Sequence, residues 1–478
     1  MKKTLGVFFP LYTTTLLMLL GSGLLTTYIS LRLTSINVSG ALIGAIIAAN
    51  YIGLVIGGKV GHFLIARVGH IRAYVSCAGI ITAAVLGHGL TEYIPVWVVL
   101  RLIIGLCMMC QYMVLESWLN DQSESNQRGM VFGFYMAASY LGMSLGQIVL
   151  MLQANLGIST LLLIALCFSL CLVPIALTTR TNARHMSPAP MELRYFVHAI
   201  PKVLATTLVI GMVVGSFYGL APVYASQQAL TTQQTGLFMA IAIFAGLVAQ
   251  FPLSWLSDRY NRTLLMRVNA LLLVIAALPL ALLPHIDFPV LLIVGFIVSM
   301  LQFTLYPLAV ALANDMIEPE RRVSLAACLL MAFGVGASIG PLAVGALIQP
   351  LGGNILYVFF ALCGLLIMAC SRTVKQDESQ FVQDAPVPHI AMPDSLSSSP
   401  LSPALNPTFD EQTIQDTMPA PEAAPDPLAE TPLAEPLPDE EPAHPSRCRS
   451  RRRHRAEKKP TPCFKLTRRG FHASSAKK

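Results

Sequence analysis

Two charged residues stand inside apolar segments of the chain. Arg101 lies about a quarter of the way along one such segment, and Glu116 follows it fifteen residues later. An arginine at that depth in a membrane costs about 2.5–3.5 kcal/mol unless it faces a cavity or a partner. On a helix the two residues are roughly 22 Å apart, which excludes a direct ion pair. We therefore expect Arg101 to face a cavity or structural partners, and Glu116 to lie near one membrane face.

Neutral polar side chains also fall near the middle of apolar segments. They are Asn50, Gln111, Tyr112, Tyr140, Ser216, Tyr218, Gln302 and Tyr306. An interhelical hydrogen bond, worth about 0.6 kcal/mol on average, explains any one of them taken alone. Tyr112 and Tyr306 occupy corresponding positions of an internal repeat, and each has a glutamine nearby, Gln111 and Gln302. We interpret these four as lining a cavity, with the two tyrosines facing each other across it. Together with Arg101, Asn50 and Tyr218, they are the seven residues predicted to bind substrate or couple its transport at the cavity.

The segments that carry these residues have the composition of transmembrane helices. Hydrophobic residues make up 54% of the chain and charged residues 12%, with a mean hydropathy of +0.63, whereas soluble domains have about 25% charged residues. We count twelve apolar runs, each long enough to cross about 30 Å of hydrocarbon. Their approximate limits are 6–31, 40–65, 71–90, 95–119, 128–152, 157–179, 202–227, 234–257, 263–284, 288–313, 322–348 and 354–372. The sequence therefore predicts an all-α polytopic membrane protein.

The chain contains an internal repeat with an offset of 194 residues. Without a gap, the offset superposes Tyr112 on Tyr306, Arg128 on Arg322 and Gly142 on Gly336. It also superposes Asn120-Asp121 on Asn314-Asp315, and Gly146 on Gly340. Repeats of this kind mark transporter folds. We predict twelve transmembrane helices in two pseudo-symmetric six-helix bundles, residues 1–180 and 201–375, joined by a cytoplasmic linker at 181–200.

Basic residues predict the orientation in the membrane. Lys and Arg concentrate on the even-numbered connections and at both ends of the apolar region, whereas the odd-numbered connections carry Arg32 alone. The positive-inside rule places both termini in the cytoplasm. Charged residues at that face are candidates for a gate whose salt bridges form in one state and break in another. The gate candidates are Glu116, Asp121, Arg67, Arg72, Asp258, Arg259, Arg262 and Asp315.

Glu116 and Asp315 each have several candidate roles at this face. Glu116 can pair with Lys59, Arg67 or Arg72, or it can exchange protons, since partial burial raises the pKa of a carboxyl. Asp315 can pair with Arg259, Arg262 or Arg322. Simple positive-inside anchoring explains much of the same charge pattern.

Residues 376–478 have a different composition from the rest of the chain. Lys and Arg are absent from 376–446, where Asp, Glu and Pro are frequent, and a basic run begins at Arg447. Too few apolar residues are present to form a core, so we expect a disordered cytoplasmic tail. An unstructured, solvated tail is the simplest interpretation. Attraction of the basic end to anionic lipid, worth about 1 kcal/mol per basic residue, is the functional alternative.

No catalytic, cofactor or metal-binding pattern stands out. Cys107 and Cys110 have redox or metal spacing, but they lie in an apolar helix without nearby His or acidic ligands, which favours core packing. We recognise neither a phosphate-binding loop nor a catalytic constellation. We therefore expect no enzyme activity, cofactor or metal.

The loops resemble those of the major facilitator superfamily. Its motif G-x-x-x-D-R-x-G-R-R has a clear counterpart from Ser254 to Arg262, in which Asn261, a residue that tolerates left-handed backbone, replaces the second glycine. A degraded copy runs from Gly61 to Arg72, where Ala66 stands in place of the acid. The family's R-x-x-x-G matches Arg101 and Gly105, and the loop 318–322 is also similar. The run 116–120 with the later glycines resembles a bacterial subgroup of such inner-membrane permeases.

The resemblance covers residues 1–375 and implies a fold, a class of activity and a role for Arg101. It implies that spans 1, 4, 7 and 10 line a central cavity and that Arg101 couples protons or substrate. The hypothesis is a monomeric secondary transporter in a bacterial inner membrane, driven by an ion gradient, most simply of protons. Because Arg101 is the one fixed charge expected in the cavity, the substrate is a neutral, amphipathic or anionic small solute. The alternative hypothesis is a non-transporting receptor or scaffold that acts through its charged tail.

Overall fold

The computed structural model describes residues 2–123, 128–153, 156–176, 192–257, 259–318 and 321–371. These residues form fourteen α-helices, and none of them lies in a β-strand. The helices are α1 (Lys2–Ser35), α2 (Gly40–Val68), α3 (His70–Leu90), α4 (Ile94–Gln122), α5 (Arg128–Met151), α6 (Ile158–Leu170), α7 (Leu172–Ala176), α8 (Leu193–Ala199), α9 (Pro201–Gln227), α10 (Thr232–Ser257), α11 (Arg262–Leu282), α12 (Phe288–Asn314), α13 (Arg322–Leu351) and α14 (Ile355–Ser371). The predicted all-α membrane class is confirmed.

Eleven spans in the described part of the chain are long and apolar enough to cross a bilayer. One of them combines α6 and α7, which are interrupted at Cys171. The apolar helix α14 is shorter and lies where the twelfth span was predicted. The predicted limits fall within four residues of the observed helix ends.

Several expectations lie outside the described residues. They concern Asp258, residues 181–191 of the linker, the tail 376–478, and the side chains of Asp121 and Arg128.

Part of the predicted linker forms a helix that the sequence does not indicate. Helix α8 carries Phe196, which is fully buried. Arg321, in the connection between α12 and α13, holds this segment: its Nη1 donates to Glu192 Oε2 at 3.1 Å, and its guanidinium lies 4.2 Å from the ring centre of Tyr195. Seven residues are too few for the apolar periodicity of a helix to stand out from a polar linker.

Asn261 also differs from expectation. Its φ of −55° is not left-handed. Its Oδ1 instead accepts hydrogen bonds from the backbone N–H groups of Thr263 and Leu264, at 2.9 and 3.2 Å, and so caps the N-terminus of α11. Gly69, in the first copy of the motif, does have the left-handed conformation, with φ +86°.

The internal repeat reappears in the positions and packing of the helices. Helices α4 and α12 begin at residues 94 and 288, and α5 and α13 begin at 128 and 322, so each pair differs by 194. The small-residue pairs also pack alike. A Cβ at Gly142 or Gly146 of α5 would press on backbone carbonyls of α1, and one at Gly336 or Gly340 of α13 would press on those of α9. The glycines let corresponding helices cross in close contact.

Helices α1–α7 meet helices α9–α14 through three principal pairs, α2 with α13, α5 with α10, and α1 with α9. We call the end of the bundle that carries the connection between α1 and α2 the odd-loop end, and the opposite end the even-loop end. At the odd-loop end, Gly40 lies against Gly345 and Ile348, and Gly44 lies against Pro341. Gly236 of α10 lies against Gln147 and Met151 of α5 there. The two sets of helices are therefore tightly joined at the odd-loop end.

The crossing of α2 and α4 gives a stability test. A Cβ at Gly105 would overlap the carbonyl oxygen of Asn50, whereas a Cβ at Gly79 of α3 would meet no atom within 4 Å. We expect Gly105→Ala to destabilise the detergent-solubilised protein by about 1–3 kcal/mol, because two backbones must separate. Gly79→Ala is the matched control and should be neutral or slightly stabilising. Thermal unfolding at equal midpoints for the two variants would contradict this packing.

Candidate functional site

Arg101 is embedded between helices in the middle of the protein. Its side chain is 1% exposed. Nη2 donates a hydrogen bond to Thr26 Oγ1 of α1 at 3.2 Å, while Nε makes no hydrogen bond within the described residues. The guanidinium is thus oriented by a neutral hydroxyl, and part of its donor capacity is not used by the protein.

Arg101 lines a narrow cavity between α1, α2, α4, α5 and α9. The lining consists of Leu19, Ser22, Thr26, Ile47, Asn50, Tyr51, Leu54, Arg101, Met108, Tyr112, Met143 and Tyr218. Arg101 is the cation in this lining, and none of the lining residues is acidic. The structure thus places Asn50, Arg101, Tyr112 and Tyr218, four of the seven predicted cavity residues, around one space.

Gln111, Gln302 and Tyr306 are buried but do not belong to this lining. The side-chain amides of both glutamines make no hydrogen bond within the described residues. Tyr306 packs edge-to-face on Phe333 of α13, with ring centres 5.0 Å apart. The repeat gives Tyr112 and Tyr306 equivalent positions, but the neighbouring side chains differ. Of the two tyrosines expected to face each other across the cavity, Tyr112 belongs to the lining and Tyr306 does not.

An aromatic cluster lies beside the cavity, on the side where the C-terminal helices approach. Phe303 of α12 contacts Tyr218 and Phe217 of α9, with ring centres 5.5 and 5.6 Å apart. It also contacts Tyr140 of α5, with centres 6.5 Å apart. Gln250 Nε2 of α10 donates to Tyr140 Oη at 3.3 Å. The cluster joins helices from both sets next to Tyr218.

Five polar and sulfur-containing residues of the lining are not among the predicted ones: Ser22, Thr26, Tyr51, Met108 and Met143. Two of them, Ser22 and Thr26, belong to a pattern that is visible in the sequence. Ser22, Thr26 and Ser30 recur every four residues and form a polar stripe on one face of α1. Ser22 Oγ contacts Met108 Sδ at 3.6 Å, and Ser30 Oγ donates to the carbonyl of Gly219 in α9 at 2.7 Å. One stripe on α1 therefore supplies both cavity lining and a contact between the two sets.

Glu116 is buried near the even-loop end of α4. Tyr135 of α5 donates a hydrogen bond to its Oε1 at 3.2 Å. Within the described residues, no ion pair joins Glu116 to Lys59, Arg67 or Arg72, which are exposed or partly exposed in this structure. The described contact of this carboxylate is therefore with the phenol of Tyr135 and not with the three candidate cations.

Asp315, directly after α12, forms an ion pair with Arg262 at the start of α11. Arg262 Nη1 also donates to the carbonyl of Ala311 at 3.3 Å. Burial raises the pKa of the Asp315 carboxyl above its ordinary value, and Arg262 opposes part of that rise. Arg259 instead stacks on Trp255, 4.1 Å from the ring centre. The contacts of Arg262 therefore tie α11 to α12, whereas the stacking of Arg259 stays at the end of α10.

The described residues contain no group of three or more His, Cys, Asp or Glu side chains suited to a metal ion. Cys107 and Cys110 are buried in α4. The cavity combines a fixed cation, hydroxyl and amide groups, and apolar side chains. Such a lining can bind and orient a small molecule.

A multi-pass helical bundle with a polar cavity near its centre is the architecture of a membrane transporter. The sequence model of the Major Facilitator Superfamily matches residues 11–306. The chain therefore belongs to this superfamily.

Relatives and solved structures agree with the assignment. The uncharacterised MFS-type transporter YcaD of Salmonella enteritidis PT4 is 28% identical over 356 residues, which cover 72% of this chain and 90% of the relative. YcaD of Salmonella typhi is 27% identical over 386 residues, covering 78% and 96%. The crystal structure of the nucleoside transporter NupG has a TM-score of 0.65 at 16% identity and covers 77% of this chain and 100% of that chain. That of a D-xylose-proton symporter scores 0.63 at 15% identity, covering 82% and 99%. These structures share the fold.

The hydrogen bond between Thr26 and Arg101 gives a test by double-mutant cycle. Thr26→Val removes an acceptor from a buried cation, so we expect a loss of about 1 kcal/mol or more in unfolding free energy. In an Arg101→Leu background the same substitution should cost much less. Thr82→Val in α3 is the matched control, since Thr82 Oγ1 donates only to Ala78 of its own helix. Equal costs of Thr26→Val in both backgrounds, measured by thermal unfolding, would exclude the coupling.

Proposed function

We propose that the protein is a secondary active transporter that moves a small solute by alternating access. The observation that carries the proposal is the position of the cavity. Its lining comes mainly from α1, α2, α4 and α5, while Tyr218 of α9 closes it from the C-terminal set. A site at the interface of two repeats can be exposed to either side of the membrane when the repeats rock against each other.

Contacts that seal the odd-loop end support rocking. Hydrogen bonds from Ser30 to the carbonyl of Gly219 and from Ser144 to the carbonyl of Ala240, at 2.7 and 3.0 Å, connect the two sets toward that end. The contacts of Gly40 and Gly44 with α13 lie at the same end. A transporter that alternates between two states needs such contacts to form in one state and separate in the other.

The positive-inside rule supplies the orientation in this proposal. It places both termini and the even-loop end on the cytoplasmic side of a bacterial inner membrane. The odd-loop end then faces outward and is sealed in this structure. Transport requires a second state in which the contacts of Gly40, Gly44 and Ser30 with the C-terminal helices separate.

An ion gradient, most simply of protons, drives the cycle in this proposal. Glu116 is the candidate proton carrier, because it is a buried carboxylate that accepts a hydrogen bond from a phenol. A proton on this carboxylate removes its negative charge, which shifts the balance between two states that expose the group to different extents. Arg262 and Asp315 are candidates for the gate at the even-loop end.

Accessibility of Ser30 tests alternating access without a known substrate. Ser30 is fully buried at the seal between α1 and α9. In a cysteine-free background, Ser30→Cys in right-side-out vesicles should react slowly but completely with a membrane-impermeant maleimide, because the outward-open state recurs. Adding a Ser144→Cys and Ala240→Cys cross-link should slow that reaction at least tenfold, since it fastens α5 to α10 at the same end.

Ser371→Cys is the control for this experiment. Ser371 is buried at the even-loop end of α14 and should stay unlabelled in the same vesicles, because the proposal places that end on the opposite side of the membrane from the reagent. Absence of labelling at Ser30→Cys over hours, or labelling that the cross-link leaves unchanged, would contradict alternating access.

A further inference from the structure

The charges of the cavity lining select a class of substrate. Arg101 contributes one positive charge, and the other polar lining groups are the neutral side chains of Ser22, Thr26, Asn50, Tyr51, Tyr112 and Tyr218. A cation entering this space meets a buried like charge with no carboxylate to offset it. Repulsion of this kind is large where water is scarce. The lining therefore disfavours cations.

Arg101 has donor capacity available for a ligand. One Nη group is bound to Thr26, and Nε is buried without a hydrogen-bond partner in the described residues. Buried polar groups without partners are uncommon, and each asks for an explanation. A carboxylate accepts two parallel N–H bonds from one edge of a guanidinium, which would satisfy Nε together with a neighbouring N–H.

Polarity changes along the axis of the cavity. Arg101, Met108 and Tyr112 lie on one face of α4, with Met108 about 10 Å from Arg101 along the helix. Thr26 of α1 lies level with Arg101, and Ser22 lies level with Met108. The backbone of Leu54 lies against Gly105 and that of Met143 against Gly23, so these two apolar lining residues stand between the levels of Arg101 and Tyr112. The cation thus stands toward the odd-loop end, and an apolar section extends from it toward the even-loop end.

We infer that the transported solute is a small organic monoanion with an apolar body, which binds with its carboxylate on Arg101 and its body beside Met108. This inference rests on the proposed transport function and deepens it. A second negative charge would find no further cation in the lining, so a dianion would leave one charge buried and unpaired. A neutral solute with a carbonyl or hydroxyl oxygen would accept a hydrogen bond from Arg101 but would leave its buried positive charge uncompensated.

Ligand series that keep the body and change the charge test the inference. The probes are 3-phenylpropionate, benzoate and hexanoate, each with its matched primary amide and amine, added to the full-length protein in detergent. Binding is measured by thermal stabilisation and by calorimetry. At least one carboxylate should stabilise the wild type, with an affinity at least tenfold above that of its amide and its amine.

Variants of Arg101 locate the interaction. Arg101→Gln should weaken binding of the carboxylate at least tenfold and abolish its preference over the amide. Arg101→Lys should keep part of the preference for the carboxylate over the amide, because the positive charge remains while the bidentate hydrogen bonding is lost. Arg267→Gln of α11, outside the cavity lining, is the matched control and should bind like the wild type.

Several results would overturn the inference. They are an amine or an amide that binds the wild type better than its carboxylate, no binding of any carboxylate, or carboxylate binding that Arg101→Gln leaves intact. The labelling of Ser30→Cys requires no substrate, so it separates the two proposals. Alternating access without anion selectivity would refute the substrate class alone, whereas absence of alternating access would refute transport itself.

Discussion

A guanidinium in the hydrocarbon region has to find its hydrogen-bond partners within the protein, and the central part of this structure is arranged around that requirement. Lipid offers no acceptor, so Arg101 depends on Thr26 and on the space beside it. The glycines of α2 and α4 bring the neighbouring backbones close enough to enclose the group. Gly53 of α2 lies against the carbonyl of Leu102, and Gly105 of α4 lies against that of Asn50. Close packing around Arg101 limits the cavity to a small space with one charge.

The two repeats are alike in their helices and unlike in their interiors. The α1–α5 and α9–α13 crossings use corresponding glycines, so the framework keeps the symmetry of the repeat. The lining does not, since eleven of its twelve residues precede the linker. On the C-terminal side, Phe303 and Phe333 fill the region next to Tyr218 and Tyr306. One repeat thus supplies most of the binding groups, and the other supplies an aromatic wall.

The sequence could predict the spans because each is a long apolar run with polar or glycine residues at its ends. It could also predict that Arg101 faces a cavity or partner, since a charge in hydrocarbon has few alternatives. It could not predict which polar residues share a space with Arg101. Thr26 lines the cavity with Arg101 whereas Tyr306 does not, and the side chains packed beside each residue decide this difference. Those neighbours depend on how helices distant in sequence rotate against each other. Helix α8 could not be predicted from the sequence, because the contacts that hold it in place come from Arg321, which is distant in sequence.

In the proposed transport cycle, the two sets of helices rock about the cavity so that one end closes as the other opens. Pulsed electron-spin distance measurements in lipid nanodiscs can follow this motion. One label pair reports on the odd-loop end, at the exposed positions Leu42 and Leu351, and another on the even-loop end, at Met130 and Trp255. Across a pH titration, alternating access predicts a short and a long distance at each end, and the population with the long distance at one end should rise as that at the other end falls. A single unchanging distance at both ends, or distances that lengthen together, would contradict it.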